Sequence, residues 1–382
     1  MRFFHISDLH FGKLLYGYDL TDEHRNFIEQ IGDYCEEYDP DAVLIAGDIY
    51  DRSVPSAEAM TLLDELLNKL SGRKVFIISG NHDNAKRLSF GKDFLKMHDI
   101  YICTVPPTEE KQKIEKVTFE DEYGNVNIYM LPFLKPALFK NSMPGEAAAG
   151  EDAIIKKLVE NAGIDKNERN IILAHQFFVS GHKEPELCES EQTPAIVGGL
   201  DAVDVSAFDD FEYAALGHIH GGQFVGEEKN RYSGTPIKFS VSERNHNKSI
   251  VMVDMGEKDK KIEITKLPLT QIRDVKKLTG YFDDIIAAAD EELKNDYVSI
   301  TLRDEEIIPD VKEKLSAYFD YILEVVVDNS ETRKIMFEDV SDLKEMSPYD
   351  AFNTFFEQLT DREMNDAESE LFREILSEIV ED

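Results

Sequence analysis

Leu44-Ile45-Ala46-Gly47-Asp48-Ile49-Tyr50-Asp51-Arg52 joins a short apolar run to a cluster of charge across a single glycine. Val43 to Ala46 has the length and composition of a strand buried on both faces, as parallel strands in α/β sheets are. Gly47 lets the backbone turn tightly, which leaves Asp48 at the strand's carboxyl end. Open α/β sheets bind their ligands at that edge. Asp48 has two carboxylate oxygens and can bridge two cations. The other chemically competent residues are therefore read as grouped around it.

Upstream, residues 2–7 read as a strand leading into Asp8-Leu9-His10. Strand alternation would put Asp8 and His10 on one side of the backbone, within reach of one metal. Thr21 opens a helix to about Tyr38, with Phe27, Ile28, Ile31 and Tyr34 at helical spacing. Ser56 is the expected N-cap of a helix ending near Leu70. Downstream, Val75 to Ser79 is a second buried strand, ending in Gly80-Asn81-His82-Asp83. Strand, helix, strand in this order is a βαβ series, so the expected class is a layered α/β sandwich.

Further along, 87–98 reads as a helix, and 126–131 and 171–174 as strands. A looser insert (136–150) and a helix (152–161) lie between those strands. The second strand ends at His175, and Tyr213–Gly217 ends at His218-Ile219-His220. Tyr232-Ser233-Gly234-Thr235-Pro236 and strands near 249–255 and 261–267 close the core. Past residue 270 the pattern changes to a helix (280–294), a strand (297–303), a helix (309–319) and a strand (321–327). Two acidic amphipathic helices fill 348–380, with Phe352, Phe355, Phe356, Leu359, Leu371, Phe372, Ile375, Ile379 and Val380 on their apolar faces.

A chain of 382 residues exceeds one ordinary domain. The expected division is a catalytic domain over 1–269, a small α/β cap over 270–335 and helices over 336–382. No stretch approaches the roughly 18 apolar residues of a membrane span. A cleavable leader is not expected, because cleavage would remove Asp8. Cys35, Cys103 and Cys188 are odd in number and far apart, which argues for free thiols in a reducing cytoplasm and against structural zinc. The net charge is −35. Before residue 270 there are 30 Lys and Arg against 46 Asp and Glu, and from there on 12 against 31. Such a balance disfavours unaided adhesion to nucleic acid or anionic membranes. It leaves room for a subunit whose cations and partner offset the repulsion.

Five segments end an apolar strand with a metal-competent side chain: Asp8/His10, Asp48, Asn81/His82, His175 and His218/His220. Carboxylate, imidazole and amide ligands together suit Mn²⁺ or Fe²⁺ better than Ca²⁺ or a thiolate zinc site. Two such ions about 3.5–4 Å apart clamp a phosphate and generate hydroxide. One metal is assigned to Asp8, His10, Asp48 and His220, the other to Asp48, Asn81, His175 and His218. His82, next to Asn81, should point toward substrate and give a proton to the leaving oxygen. Asp51 is placed to orient His82, and Arg52 to grip a phosphate oxygen. The plainer readings are a surface acid for Asp51, a surface cation for Arg52, and structural roles for His5, His24, His98, His182 and His246. Helices 56–70 and 87–98 read equally as a dimer face or as core packing. The apolar tail helices read as packing within the chain or as docking on a partner.

D-x-H, G-D-x-x-D-R, G-N-H-D and G-H-x-H in this order resemble the calcineurin-like metallophosphoesterase superfamily. The longer wording of Ile6–Gly12, Ala174–Phe177, Gly198–Asp201, Ala215–His220 and Tyr232–Pro236 resembles its SbcD-type branch, bacterial subunits of the double-strand-break repair nuclease family. The resemblance runs over the whole length. It implies a four-layer β-sandwich with helices outside. It implies a Mn²⁺-dependent DNA nuclease, degrading duplex ends 3′ to 5′ and cutting hairpins or single strands. It also implies a cytoplasmic, nucleoid-associated homodimer partnered by the SMC-like ATPase SbcC. Asp51 departs from archaeal members, which carry histidine there, and follows the phosphatase pattern. The alternatives are a phosphatase or small-substrate phosphodiesterase, and a non-catalytic adaptor on the same fold.

Overall fold

The structure, a computed structural model, describes residues 1–109, 112–191, 202–306 and 308–329, with single positions between 349 and 372. The motif at 198–201 and most of the expected tail helices lie outside the described residues. The chain divides into two compact units, Met1–Lys277 with Glu291–Val298, and Leu278–Asp290 with Ser299–Asp382.

The larger unit is built on two six-stranded sheets. In chain order its strands are β1 (Arg2–Ile6), β2 (Ala42–Ala46), β3 (Lys74–Ile78), β4 (Ile100–Cys103), β5 (Glu115–Asp121) and β6 (Gly124–Leu131). Then come β7 (Arg169–His175), β8 (Tyr213–Gly217), β9 (Gln223–Val225), β10 (Glu227–Tyr232), β11 (Ser249–Asp254) and β12 (Glu263–Pro268). The first sheet runs β12-β11-β1-β2-β3-β4, and the second β9-β10-β8-β7-β6-β5. Four neighbouring strands are parallel in each: β1 to β4 in one, and β6, β7, β8 and β10 in the other. Parallel strands align their carboxyl ends, so all five sequence segments with ligand chemistry leave the sheets at one edge.

One face of each sheet builds the central core. Phe3, Ala42, Leu44, Phe76 and Ile78 meet Val126, Ile128, Met130, Ile171, Leu173, Tyr213 and Ala215 there. The opposite parity of the second sheet (Tyr129, Leu131, Ile172, Ala174, Ala214 and Leu216) packs with Ile154, Ile155 and Leu158 of the helix Glu151–Ala162. Strands covered on both faces need apolar residues at every position, which is why they read as unbroken runs. The helices Thr21–Tyr38 and Ala57–Lys69 bury Phe27, Ile28, Ile31, Leu62, Leu63 and Leu66. Ser56 caps the second, its hydroxyl accepting from Ala59 N at 3.1 Å, a contact worth about 1 kcal/mol.

The expected helix over 87–98 is two short turns, Ala85–Leu88 and Lys92–Lys96, because Gly91 between them takes φ +73°. Strands β4, β5, β9 and β10 carried too weak a pattern to be read from the sequence. Past residue 270 the expected helix over 309–319 is only Val311–Leu315, and 280–294 divides into Phe282–Ala287 and Glu291–Asn295. A three-stranded sheet, Val275–Gly280, Tyr297–Leu302 and Tyr321–Val327, includes a first strand not anticipated. Among the described tail positions, the Phe352 and Phe372 rings stack with centroids 3.8 Å apart.

Candidate metal centre

The loops after β1, β2, β3, β7 and β8 bring Asp8, His10, Asp48, Asn81, His82, His175, His218 and His220 together. Two overlapping groups, Asp8–His10–His220 and Asp8–Asp48–His175, each place their ligand atoms within 4.8 Å of one another. A third, His10–Asp51–His82, adjoins them. Asp8, His10, Asp48 and His175 are buried, as is His220.

The route to this cluster differs from strand alternation. Asp8, His10, Asp48 and His218 all take positive φ, at 54°, 46°, 52° and 104°. β1 stops at Ile6, and the backbone then coils through left-handed positions that fold both Asp8 and His10 inward. Such conformations cost on the order of 1–3 kcal/mol each in a non-glycine residue and gather at functional sites. Two glycines make the approach of the sheets possible. A Cβ on Gly217 would lie 1.9 Å from the Ala46 carbonyl oxygen, and one on Gly47 would lie 2.3 Å from His175 Nδ1.

Hydrogen bonds fix which imidazole nitrogen faces inward. His175 Nδ1 lies 2.8 Å from the Ala46 carbonyl, which can only accept, so Nδ1 carries the proton. Its Nε2 then faces inward, 3.0 Å from Asn81 Oδ1 and 3.5 Å from Asp48 Oδ2. His218 Nδ1 lies 3.0 Å from the same Asn81 oxygen. On the other side, Ser190 donates its one hydroxyl proton to Glu243 Oε1 at 2.6 Å and so accepts from His220 Nδ1 at 2.7 Å. His220 Nε2 therefore also faces inward with a lone pair, 3.3 Å from His10 Nε2. His10 Nε2 is 3.7 Å from Asp48 Oδ2. Acceptors crowding one another at these distances are what a bound cation relieves, and histidine ligands anchored through their second nitrogen are typical of metal sites. The residues present fit divalent cations.

Burial would keep His175 neutral, yet the Asp48 carboxylate, aided by Asp8, lifts it to about 9, so without a cation a second proton sits on Nε2, the position a metal would take over. Burial holds His218 and His220 down at about 3. Asp8 is raised by burial and by Asp48 beside it. Burial opposes ionisation of Asp48 too, but His175, His10 and His82 together lower it.

His82 is held by residue 51, though by its carbonyl (2.8 Å from His82 Nδ1) and not by the carboxylate expected from the sequence. The Asp51 carboxylate instead accepts from Lys13 at 2.9 Å and lies 3.7 Å from His10 Nδ1. Arg52 is exposed, with Nε 3.7 Å from Asp51. His5 and His24 are buried and bonded to Tyr213 and the Leu9 carbonyl, while His98 and His182 are exposed and His246 half-buried.

Sequence reasoning missed the supporting residues. Asp83 ties two loops by accepting from Ile49 N, Tyr50 N and Gly80 N at 2.9–3.1 Å. Glu191 accepts from His220 N at 2.5 Å. Glu243 is buried with Lys248, 2.5 Å away. Only Asp83 had a signal, as the last letter of Gly80-Asn81-His82-Asp83.

A family model described as calcineurin-like phosphoesterase matches residues 1–222, which include every ligand position above. A second, described as the type 5 capsule protein repressor C-terminal domain, matches residues 271–360. Over its full length the chain is 28% identical to the SbcD component of the nuclease SbcCD of Staphylococcus epidermidis, an alignment spanning 99% of that protein. A solved structure, GAP50, the anchor in the inner membrane complex of Plasmodium, aligns with a TM-score of 0.40 at 9% identity, over 87% of this chain and 98% of that one.

Proposed function

This chain belongs to the calcineurin-like phosphoesterase family, and on that footing we propose that it is a two-metal DNA nuclease working with an SMC-like ATPase. The observation that carries the reading is Asp48, whose Oδ2 lies 3.5 Å from His175 Nε2 and 3.7 Å from His10 Nε2, between two sets of inward-facing imidazole nitrogens. Asp8, His10, Asp48 and His220 hold one cation, Mn²⁺ or Fe²⁺, and Asp48, Asn81, His175 and His218 hold the other. When bound, the pair neutralises phosphate charge and lowers the pKa of water. The chain's own contribution is positioning. Asp48 Oδ1 accepts from His82 N at 2.9 Å, so the bridging carboxylate and the His82 ring are fixed to one another. With Nδ1 engaged by the Asp51 carbonyl, His82 turns Nε2 toward the cluster, 4.0 Å from Asp48 Oδ2, where it can give a proton to the leaving oxygen.

DNA as substrate, and SbcC as the partner ATPase, are supported by the full-length similarity to a protein named as a component of the nuclease SbcCD. Exonucleolytic 3′ to 5′ degradation of duplex ends and cleavage of hairpins and single strands complete the proposal. Among the described residues no helix is long and apolar enough to cross a membrane. A homodimer is supported by Phe90, Phe94 and Met97, which are exposed on and beside the short helix Lys92–Lys96. The deciding assay compares linear duplex and hairpin DNA with a chromogenic phosphodiester and a phosphomonoester, all with Mn²⁺. DNA should be cleaved far faster. Preference for the phosphomonoester would make the protein a phosphatase, and purified protein that takes up no Mn²⁺ would make it an adaptor. Deleting residues 340–382 should leave DNA cleavage by the isolated protein intact but abolish co-purification with the ATPase. A truncated chain that still retains the partner would remove the tail from docking.

A further inference from the structure

Two arginines of the larger unit are buried, and they are treated differently. Arg169, 1% exposed, is paired with both oxygens of Asp121 and donates to the carbonyls of Gly124 and Gly256. Arg231, on β10, is 6% exposed, and its side chain has no hydrogen bond or ion pair among the described residues. Its Nε is sealed from solvent without a partner, and its one contact of note is the Phe224 ring, 5.9 Å from the guanidinium carbon. A buried cation left without an anion is costly, and native proteins supply the missing anion.

Arg231 lines a cavity of about 380 Å³ together with Lys183, Lys266, Phe224 and the Gly222-Gln223 turn. Neither lysine makes an ion pair among the described residues, although Glu184 and Glu186 also border the cavity. Partial burial and the charge of Arg231 push the Lys266 ammonium down. In a chain of net charge −35, three cations gathered with no carboxylate within ion-pair distance among the described residues stand out. Phe224, on the edge strand β9, is half exposed, so one face can receive a flat ring. The turn bordering the cavity begins two residues after His220, linking it to the metal centre through one loop.

We propose that this cavity is a nucleoside phosphate site, in which Arg231, flanked by Lys183 and Lys266, holds the phosphate and Phe224 stacks the base. The choice of a nucleoside over a bare phosphate rests on the nuclease reading. The cations alone call only for an oxyanion.

The test is calorimetry in EDTA, which takes the metal centre out of the measurement, with inorganic phosphate, thymidine monophosphate and a short oligothymidylate as probes. Thymidine monophosphate should bind, and Arg231→Met should weaken it by about 10-fold or more, the loss of a charge-assisted contact. Lys183→Gln with Lys266→Gln, both on exposed side chains, should weaken it less and flatten the salt dependence. That double variant decides the matter if Arg231→Met does not fold. Phe224→Ala should weaken both nucleotide probes and leave inorganic phosphate unchanged. Tighter binding of the oligomer than of the mononucleotide assigns the site to a strand, and the reverse assigns it to a released nucleotide. The proposal is overturned if no probe binds in EDTA, or if binding survives both the arginine and the lysine substitutions unchanged. Failure of DNA cleavage with phosphate binding intact would instead sink the nuclease reading and leave the oxyanion site standing.

Discussion

The two halves of the metal cluster are held by different means. On the His175 side the braces are main chain: the Ala46 carbonyl fixes His175, and His82 N donates to Asp48, while His218 N ties this side to Asp8 of the other. On the His220 side the brace is a relay of side chains, from His220 to Ser190 to Glu243 to Lys248. Lys248 returns to the His220 carbonyl at 3.2 Å, which closes the loop. Main-chain bracing is written into the fold and survives exchange of most side chains. Side-chain bracing concentrates the dependence on one buried ion pair, and removing one partner of such a pair typically costs about 3–5 kcal/mol.

Substitution at the residue shared by both halves should have the largest effect. Asp48→Asn should bring hydrolysis to background and lower the Mn²⁺ content, read by elemental analysis beside the rate. A variant that keeps two ions per chain and full turnover would show that the halves are independent sites. Next in size is His82→Gln. It removes no ligand of either half, so metal content should stay unchanged while kcat falls by about 10²–10⁴-fold, the usual worth of a positioned proton donor. Retained turnover would take His82 out of the chemistry.

Ser190→Ala separates the halves directly. It removes the acceptor that orients His220 but no ligand, and the Mn²⁺ held with His220 should lose about 10–100-fold in affinity while the other is unmoved. Titration followed by electron paramagnetic resonance distinguishes the two. Equal weakening of both ions would mean that the relay acts through the whole fold and not through His220.

The same contrast explains what the sequence could reveal. Asp48, Asn81 and His175 each follow an unbroken apolar run, because a strand covered on both faces must be apolar throughout and must end where the chemistry begins. Those runs placed the ligands and the layered α/β class together. The left-handed turns at Asp8 and His10 were not legible, since aspartate and histidine tolerate positive φ more than most residues but, unlike glycine, adopt it too seldom to announce it. Nor was the carbonyl of residue 51 as the support for His82, because main-chain contacts leave no trace in residue identity. Ser190, Glu243 and Lys248 lie in irregular segments, and nothing separates Glu243 from the other acids among 77 until the chain is folded. Short edge strands such as Gln223–Val225 escaped for a further reason: three residues cannot display a period.

The smallest effect tests the halves in the metal-free protein, through pH. His175 has a folded value of about 9 against an ordinary 6.5, so the stability from its charged form is fully present below 6.5 and is lost as pH rises through 9. His220 is held at about 3, so the unfolded chain binds the proton that the folded chain refuses, and its contribution is lost as pH falls from 6.5 toward 3. His175 and His220 therefore slope in opposite directions on either side of neutrality, and His218, also held at about 3, joins His220 on the acid side. Thermal unfolding in EDTA should show Tm declining from pH 6.5 to 9, and Asp48→Asn should flatten that alkaline limb, because the carboxylate that charges His175 is gone. The acid limb should survive the substitution, since His5 and His24 are also buried with depressed values and share it. An alkaline limb unchanged by Asp48→Asn would mean that His175 takes its charge from elsewhere, and the case for Asp48 as the centre of the cluster would weaken with it.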